Sequence, residues 1–113
     1  MLIVYVHGSK KNYSFVAEKE GEIFKIGIFK KIGITNYQAK YLAIREVLRT
    51  FPKDDLLIYC DSKFLIKQLE SEIGIRNRKL KLLVKDIRSR MSERNVKIKW
   101  IPPYHNKARK IMP

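Results

Sequence analysis

Apolar positions recur along this chain with two periods. The run Leu2-Ile3-Val4-Tyr5-Val6-His7 is β-branched and aromatic, almost continuously apolar, and stops at Gly8-Ser9, which predicts a central strand buried on both faces. Tyr13–Glu18 and Glu22–Ile32 predict two further strands, and Glu20-Gly21 between them is a hairpin-turn signal. From Thr35-Asn36, which offers a helix cap, Ala39, Leu42, Ala43, Val47 and Leu48 return at helical spacing to about Thr50. Pro52 and Asp54-Asp55 end that pattern.

Leu56–Asp61 reads as a second buried strand, followed by a helix capped by Asp61 or Ser62, with Leu65, Ile66 and Leu69 on its apolar face and Gly74 at its end. Asn77 opens a longer amphipathic helix carrying Leu80, Leu83, Val84, Ile87 and Met91 on one side. Val96–Ile101, with Lys97 and Lys99 alternating, is the last strand. The order βββαβααβ predicts an α/β fold, a five-stranded mixed sheet of three antiparallel strands then two parallel ones, flanked by helices. Neither a linker nor a repeat interrupts it, so residues 1–113 read as one domain.

Composition sharpens this. Hydrophobic residues make up 45% of the chain, which excludes a disordered polymer. The net charge of +14 is extreme for 113 residues. It is also lopsided: residues 1–61 carry ten Lys/Arg against seven Asp/Glu, residues 62–113 fifteen against four. A basic face built mainly from the second half, meeting a polyanion, is the reading that fits. The opening run Met1–Val6 is too short for a membrane span or a signal peptide, so a soluble, cytoplasmic protein with no membrane partner is expected. The single cysteine, Cys60, sits in an apolar strand and reads as a small core residue.

Three segments come in a telling order: Ile3-Val4-Tyr5-Val6-His7-Gly8-Ser9, Thr35-Asn36-Tyr37-Gln38-Ala39-Lys40 and Ile58-Tyr59-Cys60-Asp61-Ser62. They resemble the signature segments of the ribonuclease HI family. The resemblance implies a ribonuclease H-like fold over the whole chain. In that family each segment supplies one carboxylate to a two-metal site that cuts the RNA strand of an RNA–DNA hybrid. The matching positions here read His7, Lys40 and Asp61, so one carboxylate of three remains. A fourth family acid follows a pattern like His105-Asn106-Lys107-Ala108, where this chain continues with Arg109-Lys110. The chain ends at Met112-Pro113, short of the family's usual C-terminal helix.

Ligands sit at the carboxyl ends of strands in open α/β sheets; with the first and fourth strands as neighbours, His7 and Asp61 would both end at that crevice and Lys40 would look in from the first helical turn. Hard cations need several oxygen ligands, and cationic neighbours oppose them, so no cofactor is expected. Mg²⁺ or Mn²⁺ enters only if a residual nuclease uses Asp61 and His7, the weak candidate ligands, as its catalytic pair. A hydrogen-bonded strand-end residue is the other reading of His7.

The resemblance implies that Gly8, Ser9 and Asn36, and more weakly Gln38, touch a hybrid's backbone; Asn36 reads equally as a helix cap. The basic residues Arg76, Arg78, Lys79, Lys81, Lys85, Arg88, Arg90, Arg94, Lys97 and Lys99 form the candidate phosphate-contacting face, joined by Lys40, His105, Asn106, Arg109 and Lys110. Tyr104, between Pro103 and His105, is a candidate for stacking; Tyr13 and Tyr37 read as core more readily than as stacking groups. The expected function is a catalytically degenerate ribonuclease H-like domain binding RNA, RNA–DNA hybrid or another duplex through that face. The rivals are a residual metal-dependent ribonuclease H and a basic RNA-clamping component of a ribonucleoprotein particle such as the ribosome.

Overall fold

The computed structural model describes residues 1–71 and 74–112. The chain forms β1 (Leu2–Gly8), β2 (Asn12–Lys19), β3 (Glu22–Lys30), α1 (Asn36–Thr50), β4 (Leu56–Cys60), α2 (Lys63–Ser71), α3 (Arg78–Ser92), β5 (Val96–Trp100) and α4 (Lys107–Lys110). One sheet takes the order β3-β2-β1-β4-β5. The pairs β1–β2 and β2–β3 are antiparallel, whereas β1–β4 and β4–β5 are parallel. The anticipated order stands, with α4 added after a single 3₁₀ turn at Pro103–His105.

Local chemistry explains the boundaries. The β2–β3 turn has positive φ at both Glu20 (54°) and Gly21 (81°), which is what a two-residue hairpin turn of matching twist requires. Strand β3 stops at Lys30, two residues before the anticipated Ile32, because its partner β2 begins at Asn12, which pairs with Lys30. The cap of α1 is Thr35: its hydroxyl accepts from the Gln38 backbone N–H while the Gln38 side chain accepts from the Thr35 N–H. Asn36 is therefore the first helical residue and not the cap. Ser62 caps α2 by accepting from the Leu65 N–H, and Asn77 caps α3 by accepting from Leu80. Gly74 adopts the left-handed conformation (φ 74°) anticipated for a helix stop, but residues 72–73, through which α2 would reach it, lie outside the described residues, as does Pro113.

The core lies on the face of the sheet that α1 covers, where Leu2, Val4, Val6, Phe15, Leu56 and Ile58 meet Ala39, Leu42, Ala43 and Val47. Buried Tyr41 ties α1 to α2: its single hydroxyl proton is shared between Gln68 Oε1 at 3.0 Å and the Leu65 carbonyl at 3.3 Å. Cys60 is buried as anticipated, and burial pushes its thiol up to about 11. Strand β1 departs from expectation on its second face: Ile3, Tyr5 and His7 are only half-buried, since the short α4 covers that side. Among the described residues no helix is long and apolar enough to cross a membrane.

Arg94, counted in the candidate phosphate-contacting face, leaves it. Its guanidinium turns inward and donates to the carbonyls of Leu48 (3.3 Å), Asp54 (3.0 Å) and Phe51, satisfying the carboxyl end of α1.

Candidate functional site

Asp61 stands one residue past β4, beside the carboxyl end of β1, because the two strands run parallel in register from Leu2–Leu56 to Tyr5–Tyr59. Helix α1 is brought against that corner by Gly8. A Cβ there would lie 2.5 Å from the Ala39 carbonyl carbon and the Lys40 nitrogen, so only glycine lets the strand end and the helix meet. The outcome is a crevice in which three positions anticipated from the sequence converge. His7 Nδ1 lies 3.8 Å from Asp61 Oδ2, and Lys40 Nζ lies 3.8 Å from Asp61 Oδ1.

Asn106 completes the cluster. It is fully buried; its amide nitrogen donates to Asp61 Oδ2 at 3.0 Å and to the Val6 carbonyl at 2.9 Å, and its Oδ1 accepts from the Ala108 N–H at 3.0 Å. Asn106 was anticipated as a contact for nucleic acid, but both ends of its amide are spent inside the fold, where it pins α4 to the crevice. Burial pushes the Asp61 carboxyl up. His7, the Asn106 amide and Lys40 together outweigh that and hold it below the ordinary carboxylate range. His7 Nδ1 is buried without a hydrogen-bond partner and faces the carboxylate.

This donor set does not fit a pair of hard cations. One carboxylate is present, one of its oxygens faces an ammonium and the other accepts from an amide, whereas such ions require several free oxygen ligands. Among the described residues no group of three His, Cys, Asp or Glu side chains converges on a common point. What the cluster offers is a buried carboxylate held by an amide and an ammonium, with Lys40 at its partly exposed rim.

Other anticipated residues lie around this corner or away from it. Ser9 is half-buried, and its hydroxyl turns back to the Asn12 carbonyl at 3.4 Å. Asn36 is exposed at the mouth of α1, and Gln38 beside it spends its Oε1 on the cap. Tyr104 (71% exposed) packs at a tilt against exposed His105, with ring centroids 4.4 Å apart and planes 51° apart. It lines a shallow groove with Pro103, Arg109 and Lys110. Among the described residues, Lys40 Nζ and His7 Nδ1 are the nitrogens within ion-pair distance of Asp61; Arg109 and Lys110 are exposed on α4 instead. On α3, Arg78, Lys81 and Lys85 are exposed at helical spacing along one side, Arg88 is half-buried, and Arg90 is tied to Asp86 at 3.1 Å. A separate apolar groove of about 570 Å³, lined by Ile66, Leu69, Met91, Val96 and Ile98, shares no residue with the crevice.

Two pairings escaped the sequence reading. Lys107 pairs with buried Glu18, 89 positions earlier in the chain, and lies over the Tyr5 ring at 5.5 Å. Lys63 sits over the ring of half-exposed Trp100 at 4.3 Å, beside the carboxyl end of β5. Neither pair has a local signal: the first joins β2 to α4 and the second joins α2 to the end of β5.

No curated protein matches the chain. Solved structures do. RNase H1 from the halophilic archaeon Halobacterium salinarum NRC-1 superposes with a TM-score of 0.82 at 22% identity, covering 95% of this chain and 89% of that one. LC11-RNase H1, isolated from compost and solved in complex with an RNA/DNA hybrid, gives 0.82 at 18% identity over 95% of this chain and 89% of its own. The N-terminal RNase H domain of a Mycobacterium tuberculosis protein gives 0.75 at 16% identity, covering 94% and 86%. The sheet order and flanking helices are thus those of the RNase H-like fold. Residues 16–110, most of the length, match a family profile described as reverse transcriptase-like, and the chain belongs to that family.

Proposed function

We propose that this domain binds RNA, RNA–DNA hybrid or another nucleic-acid duplex along the crevice rim and the exposed side of α3 without cutting it. The observation that carries the reading is the Lys40 ammonium 3.8 Å from Asp61 Oδ1, where the resemblance to ribonuclease HI calls for another carboxylate. A lysine there supplies a fixed positive charge beside a passing phosphate and opposes the divalent ions on which hydrolysis would depend. The net charge of +14, with Arg78, Lys81 and Lys85 exposed in a row, supports sequence-independent affinity for a polyanion. The likeness to a structure holding an RNA/DNA hybrid supports the substrate class.

One observation favours the residual nuclease as a second reading. His7 Nδ1 is buried, unpartnered and aimed at Asp61, as one member of a ligand pair for a softer ion would be. A single experiment separates the two: end-labelled RNA–DNA hybrid incubated with the protein in Mg²⁺ and in Mn²⁺, beside an Asp61→Asn control. A mobility shift with intact strands is the expected result. Cleavage that disappears in Asp61→Asn would overturn the binding-only reading.

A further inference from the structure

Strand β3 is an edge of the sheet, and among the described residues no strand pairs with its outer side. It is also the most apolar exposed element of the protein. Ile23, Phe24, Ile26 and Ile28 are all exposed large hydrophobics, and Ile32 just beyond the strand is 91% exposed. The register places three of them on one face. Ser14, Val16 and Glu18 pair with Ile28, Ile26 and Ile23, and Ser14 and Glu18 themselves contact Ala108 and Lys107 of α4. The short α4 packs on β1 and β2, so Ile23, Ile26 and Ile28 remain 60%, 45% and 49% exposed beside it. Soluble monomers ordinarily protect a long apolar edge because its open backbone groups are a template for another strand.

The charges along β3 select the occupant. Acids are scarce in this chain, yet Glu20 lies in the hairpin turn and Glu22 opens β3, opposite Lys19 at the end of β2, while Lys30 and Lys31 close the other end of the strand. Two copies of β3 laid antiparallel about a two-fold axis near Ile26 bring the acidic tip of each beside the lysines of the other. Lys25, paired with Ala17 on the α1 side, then falls opposite Gly27 of the second copy, which carries no side chain to obstruct it. A parallel arrangement would instead set tip against tip, like charge on like.

We infer that this chain forms a symmetric homodimer by antiparallel pairing of its β3 edges, extending the sheet to ten strands. The interface is isologous: each copy offers the same strand, and Ile26 meets its own counterpart at the axis. Both α1 helices lie on the same side of the joined sheet, and the two Asp61 crevices open in opposite directions. The dimer therefore presents two independent sites rather than one shared cleft. The inference does not depend on what the crevice binds.

Sedimentation velocity of the full chain over a concentration series tests it. A strand-pair interface is at the small end of specific interfaces, so a reversible monomer–dimer equilibrium with Kd on the order of micromolar is expected. Ile26→Lys, which places a charge at the axis on an exposed position, should weaken association roughly tenfold or more, with circular dichroism and the thermal transition unchanged. Glu20→Lys with Glu22→Lys should also weaken it, and adding Lys30→Glu with Lys31→Glu should restore it. A monomer at every concentration, aggregates without defined stoichiometry, or a dimer indifferent to Ile26→Lys and to the charge reversals would each overturn the inference.

Discussion

The Asn106 amide nitrogen lies 3.0 Å from Asp61 Oδ2 and donates to it, while donating also to the Val6 carbonyl at 2.9 Å. One side chain near the carboxyl end of the protein thereby fixes the residue at the centre of the crevice and the strand that forms its wall. Asn106→Ala leaves the Val6 carbonyl, the Ala108 N–H and one Asp61 oxygen without these partners. A loss of about 3 kcal/mol is expected, because buried polar groups deprived of partners retain their full desolvation penalty. Urea unfolding followed by circular dichroism measures it; a loss near zero would show that α4 is not clamped by this residue.

Asp61 also makes stability depend on pH in a defined direction. Its folded carboxyl is depressed below the ordinary value of 3.8 by His7, Asn106 and Lys40 despite the opposing effect of burial. A depressed carboxylate contributes stability that is complete above its unfolded value and is lost as pH falls through its folded value. The stability difference between the natural chain and Asp61→Asn should hold constant from neutral pH down to that ordinary value and narrow at more acidic pH. A difference that grows on acidification would reverse the sign and refute the assignment.

Lys107 has the opposite dependence. Its hydrogen bond and ion pair with Glu18 raise it above its ordinary 10.5 against a smaller effect of desolvation. The contribution is present below that ordinary value and lost as pH climbs through the raised one. Lys107→Met should therefore be destabilising at neutral pH and progressively less so in strong alkali. Because the Lys107 side chain is 46% exposed while that of Glu18 is 7% exposed, the loss reflects chiefly a buried carboxylate left unpaired. Glu18→Gln combined with Lys107→Met should recover part of it in thermal melts.

Gly8→Ala tests the join between β1 and α1. The added methyl meets helix backbone at 2.5 Å, and backbone cannot rotate away, so a cost of about 3 kcal/mol is expected. Gly21→Ala has open space around the new methyl and carries only the strain of its positive φ, so it should cost less in the same denaturation assay.

The proposed interface has an ionic-strength signature. If Lys81 and Lys85 each engage a phosphate, replacing both with alanine should reduce the slope of log affinity against log salt by about 2 for a duplex, since each neutralised phosphate accounts for roughly 0.9 of it. Fluorescence anisotropy with a labelled hybrid reads this. An unchanged slope would remove α3 from the interface.

The sheet was legible because its central strands are short, apolar and bounded: Leu2–His7 and Leu56–Asp61, the latter one residue longer than the strand that forms, have few alternatives to adjacent buried strands. The convergence of His7, Lys40 and Asp61 was legible too, since parallel strands deliver their carboxyl ends to one edge. What escaped was long-range polar pairing. Glu18 and Lys107 look like ordinary surface charges, and nothing beside Arg94, between Glu93 and Asn95, marks it as facing the end of α1. Asn106 looked available for a ligand because the four-residue helix it caps has too short a pattern to announce itself. The second face of β1 was misjudged for the same reason: a continuous apolar run does not reveal how much of that face a short α4 will cover.

Gly8 packs directly on the Ala39–Lys40 backbone. The gap between strand and helix is set by main-chain atoms, not by whatever charge occupies the space between them. The join between strand and helix is thereby independent of the side chains at residues 7 and 40, whose exchange changes the charge of the corner and leaves its main-chain spacing in place.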